Sequence, residues 1–273
     1  MKNPPEILGR IAESALARVA KTKEILPFEQ IRDQVRKLIN KQCNSVNPAV
    51  KNKSFKSAIA SAGLSFICEV KKASPSKGII AEDFPWMEIA KEYEDAGAAA
   101  ISVLTEPEFF MGSDIYLRGI SASVKIPTLR KDFIIDPYQL YEAKLWGADA
   151  VLLICALLEP HTLEEFLSAA DELNLDCLVE IHNEMEAEEA VSAGSRIIGI
   201  NNRDLAAFKI DTGLTSRLRK FIPADALTVA ESGIKYADDI RELKCAGVDS
   251  VLIGESLMRS ADKKKLLREL LSA

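Results

Sequence analysis

A segment that recurs four times along the chain constrains its fold more than any other sequence feature. Each copy contains the end of a helical pattern, a glycine, a short link and a continuous apolar run. Glycine just beyond a helix takes the left-handed conformation that ends it, and an apolar run without alternation indicates a strand buried on both faces. Helices that alternate with such strands are typical of parallel α/β sheets. The copies span 95–104, 145–154, 193–200 and 245–254.

Eight strands are predicted when the intervening segments are included, beginning near Phe66, Ala99, Ile126, Asp149, Asp176, Arg196, Leu227 and Asp249. Helical patterns between them include 83–96, 161–173, 183–193 and 235–246. In the second of these, Thr162 and Glu165 have the spacing of a capping box. Eight β-α units at this spacing predict an α/β protein with a closed (β/α)8 TIM barrel. An open doubly wound sheet is the alternative, weakened because no Gly-x-Gly-x-x-Gly turn follows the first strand.

Residues 1–48 lie outside the repeat and predict an N-terminal helical extension, which leaves 49–273 for the barrel. Asn47 and Pro48 mark the predicted junction, within one structural domain overall. Apolar residues recur at helical spacing on both sides of Pro27, namely Ile7, Ile11, Ala15 and Val19, then Ile31, Val35, Leu38 and Ile39. Two interpretations stay open: the helices only pack on the barrel, or they cap one end of it and also contact substrate.

Composition and charge exclude several classes of protein. The 273-residue chain has a net charge of −6, which argues against a surface for nucleic acid or anionic membranes. The longest apolar runs are about nine residues, whereas a membrane helix needs about 20. With no apolar signal-peptide core, the sequence predicts a cytoplasmic protein. Five cysteines without a C-x-x-C pair predict buried free thiols, and two histidines without metal-ligand spacing predict no metal site.

Charged and polar residues follow the predicted strands at their carboxyl ends, where a barrel has its active site. Buried charges are costly unless they are paired, so their convergence from several strands indicates a polar cavity. Glu69 and Lys71 are two apart, and therefore face the same way on a strand. The others are Thr105, Glu106, Lys131, Glu180, Asn201, Asn202, Arg203, Glu231, Ser232, Gly233, Gly254, Glu255 and Ser256.

Two lysines and two or three carboxylates in one cavity suit proton transfer. A lysine beside carboxylates stays protonated and can donate to a developing alkoxide. A carboxylate among apolar walls can accept a proton at neutral pH. Two alternatives stay open for Lys71 and Lys131: a Schiff base with a carbonyl substrate, or simple binding of an anion.

Glycine turns after the seventh and eighth predicted strands indicate a phosphate site. They are Ser232-Gly233 and Gly254-Glu255-Ser256. Glycine lets the backbone approach an anion, and amides at the start of a short helix point towards it. Barrels commonly hold phosphate after these two strands. The alternative is that the glycines only form tight turns.

The stretch 69–78, Glu-Val-Lys-Lys-Ala-Ser-Pro-Ser-Lys-Gly, resembles the first-strand motif of indole-3-glycerol phosphate synthases. Seven further segments resemble the family in order, at 102–106, 110–113, 129–134, 178–181, 199–205, 231–234 and 252–258. The N-terminal extension resembles the family's cap. The resemblance implies a carboxy-lyase of tryptophan biosynthesis that uses no cofactor. It would cyclise 1-(2-carboxyphenylamino)-1-deoxyribulose 5-phosphate to indole-3-glycerol phosphate, with loss of carbon dioxide and water.

The resemblance also implies catalytic roles for five residues. Lys131 would be the general acid for ring closure, and Lys71 would bind the substrate carboxylate and is a second candidate proton donor. Glu180 and Glu69 are the candidates for the acid and base of the later steps. Asn201 would orient the intermediate.

Nine further residues are expected to bind the substrate: Ser74, Phe110, Phe133, Arg203, Glu231, Ser232, Gly233, Gly254 and Glu255. Phe110 and Phe133 would line a pocket for the anthranilate ring, and the glycine turns with Arg203 would surround the phosphate. Because a carboxylate repels phosphate, the Glu255 side chain is expected to turn away and leave only its amide in the site.

The expected partner is therefore a small phosphorylated molecule, bound by a monomer or weak homodimer without a fused phosphoribosylanthranilate isomerase domain. Two alternatives remain from other classes. One is another phosphate-binding barrel enzyme, such as an isomerase; the other is a non-catalytic barrel that binds a phosphate ligand or a partner protein.

Overall fold

Eight parallel strands close into a barrel, which confirms the predicted fold. The structure is a computed structural model that describes residues 2, 4–43, 53–60, 63–204, 207 and 209–273. Each strand pairs with the next along the chain, and the last pairs with the first. The strands are β1 Ser65–Val70, β2 Ala100–Leu104, β3 Thr128–Lys131, β4 Ala150–Ile154, β5 Asp176–Ile181, β6 Ile197–Asn201, β7 Leu227–Glu231 and β8 Ser250–Ile253.

Helices precede the barrel and alternate with its strands. They are α1 Glu6–Ile25, α2 Phe28–Cys43, α3 Phe55–Ile59, α4 Trp86–Ala96, α5 Asp114–Ser123, α6 Tyr138–Leu145, α7 Pro160–Glu172, α8 Glu184–Ser192, α9 Leu214–Leu218, α10 Ala237–Cys245, α11 Glu255–Arg259 and α12 Lys263–Leu271. A short 3-10 helix, Arg219–Phe221, follows α9. The loop after β1 contains a two-stranded hairpin of Ala73–Ser74 and Gly78–Ile79.

The repeated glycines end their helices as predicted. Gly97, Gly147, Gly194 and Gly247 have φ angles of 107°, 86°, 80° and 73°. Glycine adopts this left-handed conformation without the clash that a Cβ atom would cause. The chain can therefore turn from each outer helix directly into a buried strand.

Two aspartates at equivalent positions of the repeat fix the stagger of neighbouring strands. Asp149 accepts a hydrogen bond from the amide of Thr128 at 2.9 Å. Asp249 accepts one from the amide of Thr228 at 2.7 Å. Each carboxylate satisfies an amide at the beginning of the preceding strand, where no ladder partner is available. The repeat seen in the sequence therefore has a structural counterpart at the amino ends of the strands.

The predicted capping box at α7 is wrong. The helix begins at Pro160, with Glu159 as its N-cap and no side-chain capping bond. Proline suits the first helical position because its φ is preset and it lacks the amide that would need a partner. Thr162 therefore lies inside the first turn, where its hydroxyl is 3.3 Å from His161 Nε2.

The N-terminal helices pack on the barrel, and α1 also contributes to its cavity. In α1, Leu8, Ile11 and Val19 are buried, and Ile7 with Leu8 and Ile11 lines the cavity at the carboxyl ends of the strands. The predicted junction at Asn47 and Pro48 lies outside the described residues. The boundary between extension and barrel therefore stays a prediction.

Three of the cysteines are buried free thiols, as predicted: Cys68, Cys155 and Cys177. Burial raises the pKa of each thiol well above its ordinary value. Cys245 is exposed, so the prediction of burial is wrong there, because it lies at the outer end of α10. Across the part of the chain that the structure describes, no helix has the length and apolar character needed to cross a membrane.

Candidate active site

A cavity of about 560 Å³ opens at the carboxyl ends of the barrel strands. A volume of this size fits a small-molecule ligand. All five predicted catalytic residues line it: Glu69, Lys71, Lys131, Glu180 and Asn201. So do the nine predicted binding residues: Ser74, Phe110, Phe133, Arg203, Glu231, Ser232, Gly233, Gly254 and Glu255. The fold thus brings the whole predicted set together.

Lys131 occupies the centre of a buried charge cluster. From the end of β3, its Nζ donates to Glu231 Oε2 at 2.7 Å and to Glu180 Oε2 at 3.0 Å. These carboxylates come from the ends of β7 and β5. Burial alone would lower the pKa of Lys131, but the charges of Glu180, Glu231 and Glu69 outweigh it and raise that pKa. The ammonium therefore stays protonated, as a general acid requires before it donates.

The two carboxylates that contact Lys131 differ in their second neighbour. Glu180 Oε1 lies 3.3 Å from His182 Nε2, and the other ring nitrogen of His182 lies 3.1 Å from Glu186 Oε2. Burial lowers the pKa of His182, but its contacts with the two carboxylates raise it to about 10. Burial also opposes ionisation of Glu180, yet Lys131 and His182 together hold its pKa below its usual range. Glu180 is therefore a carboxylate at neutral pH.

Glu231 keeps one oxygen without a cation. Within the described residues, its buried Oε1 has no hydrogen-bond partner. Burial raises the pKa of Glu231 to about 7, against the attraction of Lys131 and with added repulsion from Glu180. A side chain at Gly199 on β6 would collide with this oxygen, so glycine there makes room for the carboxylate. The side chain of Glu231, one of the nine predicted substrate-binding residues, thus lies in the Lys131 cluster.

Glu69 and Lys71 form an ion pair at the end of β1, as expected for same-facing side chains. Glu69 is almost fully buried, whereas the ammonium of Lys71 lies at the cavity wall. A Cβ atom at Gly254 would collide with the Glu69 carboxylate. Gly254 therefore has a second function besides turning the chain after β8, because it leaves the space in which Glu69 reaches Lys71.

The turn after β7 adopts a strained backbone. Ser232 has φ 64°, in the left-handed region that non-glycine residues rarely occupy, and Gly233 follows with φ 83°. Asn202 holds this turn, because its Nδ2 donates to the Ser232 carbonyl at 3.1 Å. Its Oδ1 accepts from the Thr215 hydroxyl at 2.8 Å, which fixes the amide orientation. Asn202 was seen at a strand end but was not predicted to have this role.

The expectation that the Glu255 side chain turns away is wrong. Its carboxylate lies 3.7 Å from Arg203 Nη2, 4.0 Å from Lys77 Nζ and 3.3 Å from Arg259 Nε. Arg203 and Arg259 also line the cavity, and the charges of all three cations attract the carboxylate. The carboxylate therefore contacts the same arginine that is expected to bind the phosphate.

Aromatic and aliphatic side chains form an apolar part of the cavity lining. The rings of Phe110 and Phe133 lie 5.8 Å apart between centroids and are tilted by 37°. Ile7, Leu8 and Ile11 of α1 also line the cavity. The cavity therefore has three chemically distinct regions: an apolar aromatic wall, a charged centre around Lys131, and a cationic rim near Arg203.

Comparison with known proteins identifies the family. The sequence model of the indole-3-glycerol phosphate synthase family matches residues 8–270. The chain belongs to the indole-3-glycerol phosphate synthase family. The synthase of Ruminiclostridium cellulolyticum is 54% identical over 94% of this chain and 95% of its own length. That of Endomicrobium trichonymphae is 53% identical over 97% of this chain and 99% of its own.

Members of the indole-3-glycerol phosphate synthase family are lyases of tryptophan biosynthesis that lose carbon dioxide during ring closure. Because the match spans nearly the full length of the two relatives, those relatives are single-domain synthases without a fused isomerase.

Solved structures support the fold alone. A 3-hexulose-6-phosphate synthase has a TM-score of 0.62 at 15% identity, over 77% of this chain and 99% of its own. KGPDC from Streptococcus mutans, in complex with D-R5P, has a TM-score of 0.62 at 13% identity, over 77% and 96%. Both likenesses agree with the closed barrel.

Three polar residues at or near the cavity were assigned no role from the sequence: His182, Asn202 and Asp132. His182 follows Glu180 by two residues at the end of β5, so same-face spacing was the available signal. Asn202 belongs to the motif quoted for β6, next to Asn201. The role of Asp132, which follows Lys131, could not be inferred, since two of its partners, Arg18 and Thr105, lie in other parts of the chain.

Proposed function

We propose that this protein is an indole-3-glycerol phosphate synthase of the cytoplasm, active as a monomer or weak homodimer. It converts 1-(2-carboxyphenylamino)-1-deoxyribulose 5-phosphate to indole-3-glycerol phosphate, carbon dioxide and water through its own side chains. The observation that carries this proposal is the charged Lys131, held between Glu180 and Glu231 in a cavity that also has an aromatic wall and a cationic rim. The family membership gives the substrate.

Each region of the cavity suits one part of this substrate. The carboxyphenyl ring fits the wall of Phe110 and Phe133, with its carboxylate on Lys71. The phosphate fits the rim, where Arg203 supplies charge and the turns at Gly233 and Gly254 let the backbone approach. The sugar carbons then lie across the charged centre. Binding at both ends orients the ring carbon towards the carbonyl carbon that it attacks.

Ring closure needs a proton at the carbonyl oxygen as the new carbon-carbon bond forms. Lys131 supplies it, because its ammonium is protonated and mostly shielded from water. The carboxyl group is on the attacking ring carbon, so its departure as carbon dioxide restores the aromatic ring. Lys71 first anchors this carboxylate. When carbon dioxide leaves, the Lys71 ammonium still has an ionic partner, because it is paired with Glu69.

The last step removes the hydroxyl group as water and completes the indole ring. This step needs one acid, which protonates the departing hydroxyl group, and one base, which takes a proton from the newly closed five-membered ring. Glu180 is the proposed base, because Lys131 and His182 keep it ionised. Glu69 with Lys71 is the proposed acid pair. Asn201 orients the intermediate: its Oδ1 accepts from the Arg203 amide at 3.1 Å, which leaves its Nδ2 to donate.

The test is turnover of the purified protein with the carboxyphenylamino substrate, followed by indole fluorescence. We expect a fluorescent product that requires no added metal or cofactor. A folded protein that releases no indole product would contradict the proposal. Parallel incubation with phosphoribosylanthranilate tests the isomerase alternative, since conversion of that compound alone would place the protein in a different reaction class.

A further inference from the structure

One face of α1 contacts three residues of the loop after β2. Arg10, Ser14 and Arg18 are four residues apart and therefore lie on the same helix face. The Arg10 guanidinium lies 6.0 Å from the ring centre of Phe109, and the Ser14 hydroxyl donates to Glu108 Oε2 at 2.6 Å. The N-terminal extension thus contacts the segment that contains Phe110.

Arg18 makes the most buried of these contacts. Its Nη1 donates to Glu106 Oε1 at 2.9 Å, and its Nη2 lies 3.3 Å from Asp132 Oδ1 as a second donor. Glu106 comes just after β2, and Asp132 just after Lys131 on β3. Both carboxylates are almost completely inaccessible to solvent. One guanidinium therefore joins the ends of two adjacent barrel strands.

Glu106 shapes the loop that contains Phe110. Its Oε2 accepts from the amides of Phe109 at 2.7 Å and Phe110 at 3.1 Å, and its Oε1 accepts from Glu108 at 3.1 Å. Three amides and Arg18 thus converge on one buried carboxylate. If Arg18 is removed, this charge keeps only neutral donors, which is unfavourable in a dry environment.

Asp132 holds the loop after β3, which contains Phe133, in a similar way. It accepts from the amide of Phe133 at 2.8 Å, from the Thr105 hydroxyl at 2.7 Å and from Arg130 Nη2 at 2.9 Å. Burial raises its pKa, but Arg130 and Arg18 reverse this and hold it below its ordinary value. Asp132 retains Arg130 if Arg18 is lost, so the loop with Phe110 depends more strongly on Arg18.

We propose that Arg18 is a positioning residue, which sets the separation of the Phe110 and Phe133 rings by bridging Glu106 and Asp132. The proposal rests on the proposed function only for the identity of the aromatic group that these rings contact. A lysine cannot replace this arginine fully, because a single ammonium does not match two carboxylates with the fixed fork of a guanidinium.

Lys23 provides a matched control on the same helix. It donates to Asp136 Oδ2 at 2.6 Å, again between α1 and the loop after β3. Asp136 accepts from the amide of Tyr138 rather than from an aromatic residue of the cavity, and neither Lys23 nor Asp136 lines it. Arg18→Met and Lys23→Met therefore each remove one cation of α1, but only the first should affect the aromatic wall.

The experiment compares wild type, Arg18→Met, Arg18→Lys and Lys23→Met in the full chain. At a temperature where all are folded, Arg18→Met should raise KM about tenfold with a smaller change in kcat, and Arg18→Lys should lie between it and wild type. Hydrogen exchange should accelerate at the amides of Phe109 and Phe110 in Arg18→Met and not in Lys23→Met. An unchanged KM and unchanged exchange in Arg18→Met would overturn the proposal.

Exchange at these amides does not depend on turnover, so it separates this proposal from the proposed function. If wild type does not convert the substrate, the proposed function fails. Exchange, together with the dissociation constant for anthranilate measured by its fluorescence, then decides the role of Arg18. Equal loss of thermal stability in Arg18→Met and Lys23→Met, with no difference in either of these measurements, would reduce Arg18 to an ordinary helix anchor.

Discussion

Lys131 donates a 2.7 Å hydrogen bond to Glu231, a carboxyl group whose pKa is raised to about 7, while Glu180 on its other side stays ionised. The two carboxylates are thus distinguished by their neighbours, since His182 supports only Glu180. A cationic acid and an ionised base therefore lie within hydrogen-bonding distance before substrate arrives. This separation of protonation states is what acid-base catalysis at neutral pH requires.

Replacing Lys131 by methionine should lower kcat by about 10²–10⁴-fold with little change in substrate binding, because the proton donor is lost while the binding surfaces remain. Steady-state kinetics and a separate binding measurement give the two quantities. Lys125→Met removes an exposed lysine outside the cavity and is the control. A normal kcat in Lys131→Met would exclude this lysine as the general acid.

Replacing Glu255 by glutamine should tighten the binding of inorganic phosphate by about threefold to tenfold. In the wild type, the Glu255 carboxylate competes with phosphate for Arg203, and the variant lacks this competitor. Calorimetric titration at fixed ionic strength measures the dissociation constant. Glu255→Asp keeps the charge and should stay closer to wild type. Weaker phosphate binding in the glutamine variant would mean that Glu255 instead holds Arg203 in its binding position.

Alanine at Gly254 should reduce kcat/KM by about tenfold or more, because the added methyl group displaces the Glu69 carboxylate from Lys71. Kinetics and thermal unfolding are compared with Gly9→Ala. That substitution adds a methyl group within α1, where the nearest atom is a side-chain carbon of Pro4 at 3.8 Å. Full activity of Gly254→Ala would show that the Glu69–Lys71 pair tolerates displacement.

His182 should stabilise the fold in a pH-dependent manner. The pKa of His182 in the folded state is about 10, above its ordinary value of 6.5. Its contribution to the free energy of unfolding is therefore complete below pH 6.5 and is lost as the pH rises through about 10. The difference in unfolding free energy between wild type and His182→Asn should therefore fall by a few kcal/mol across this window. Urea titrations at several pH values measure it, with exposed His161→Asn as control. A difference that does not change with pH would contradict the ionic role.

The barrel could be predicted from sequence because its signals are local. A glycine after each helix and an unbroken apolar run need only a few consecutive residues, and Gly147 followed by β4 is an example. The start of β3 was less accurate: it was predicted near Ile126 and lies at Thr128, after Pro127. The capping box at Thr162 failed because Pro160 begins the helix earlier, which a spacing rule alone does not detect.

The residues that line the cavity could also be predicted, since strand ends converge in any closed barrel. Which of their side chains pair with one another could not be predicted. Glu231 was predicted only to bind the substrate, and its pairing with Lys131, for which Gly199 leaves room, had no sequence signal. Glu255 was expected to avoid the rim, but the cations there attract it. Arg18 could not be assigned, since its partners lie 88 and 114 residues away in the chain.

The most direct test of the account uses the carboxyphenylamino substrate with an isotopic label in its carboxyl group. Released carbon dioxide and indole product are measured together in wild type and in Lys131→Met. We predict one labelled carbon dioxide for each indole product in wild type, and a large parallel loss of both in the variant. Folded wild-type protein that forms neither product, or a Lys131→Met variant that forms both at the wild-type rate, would contradict the account.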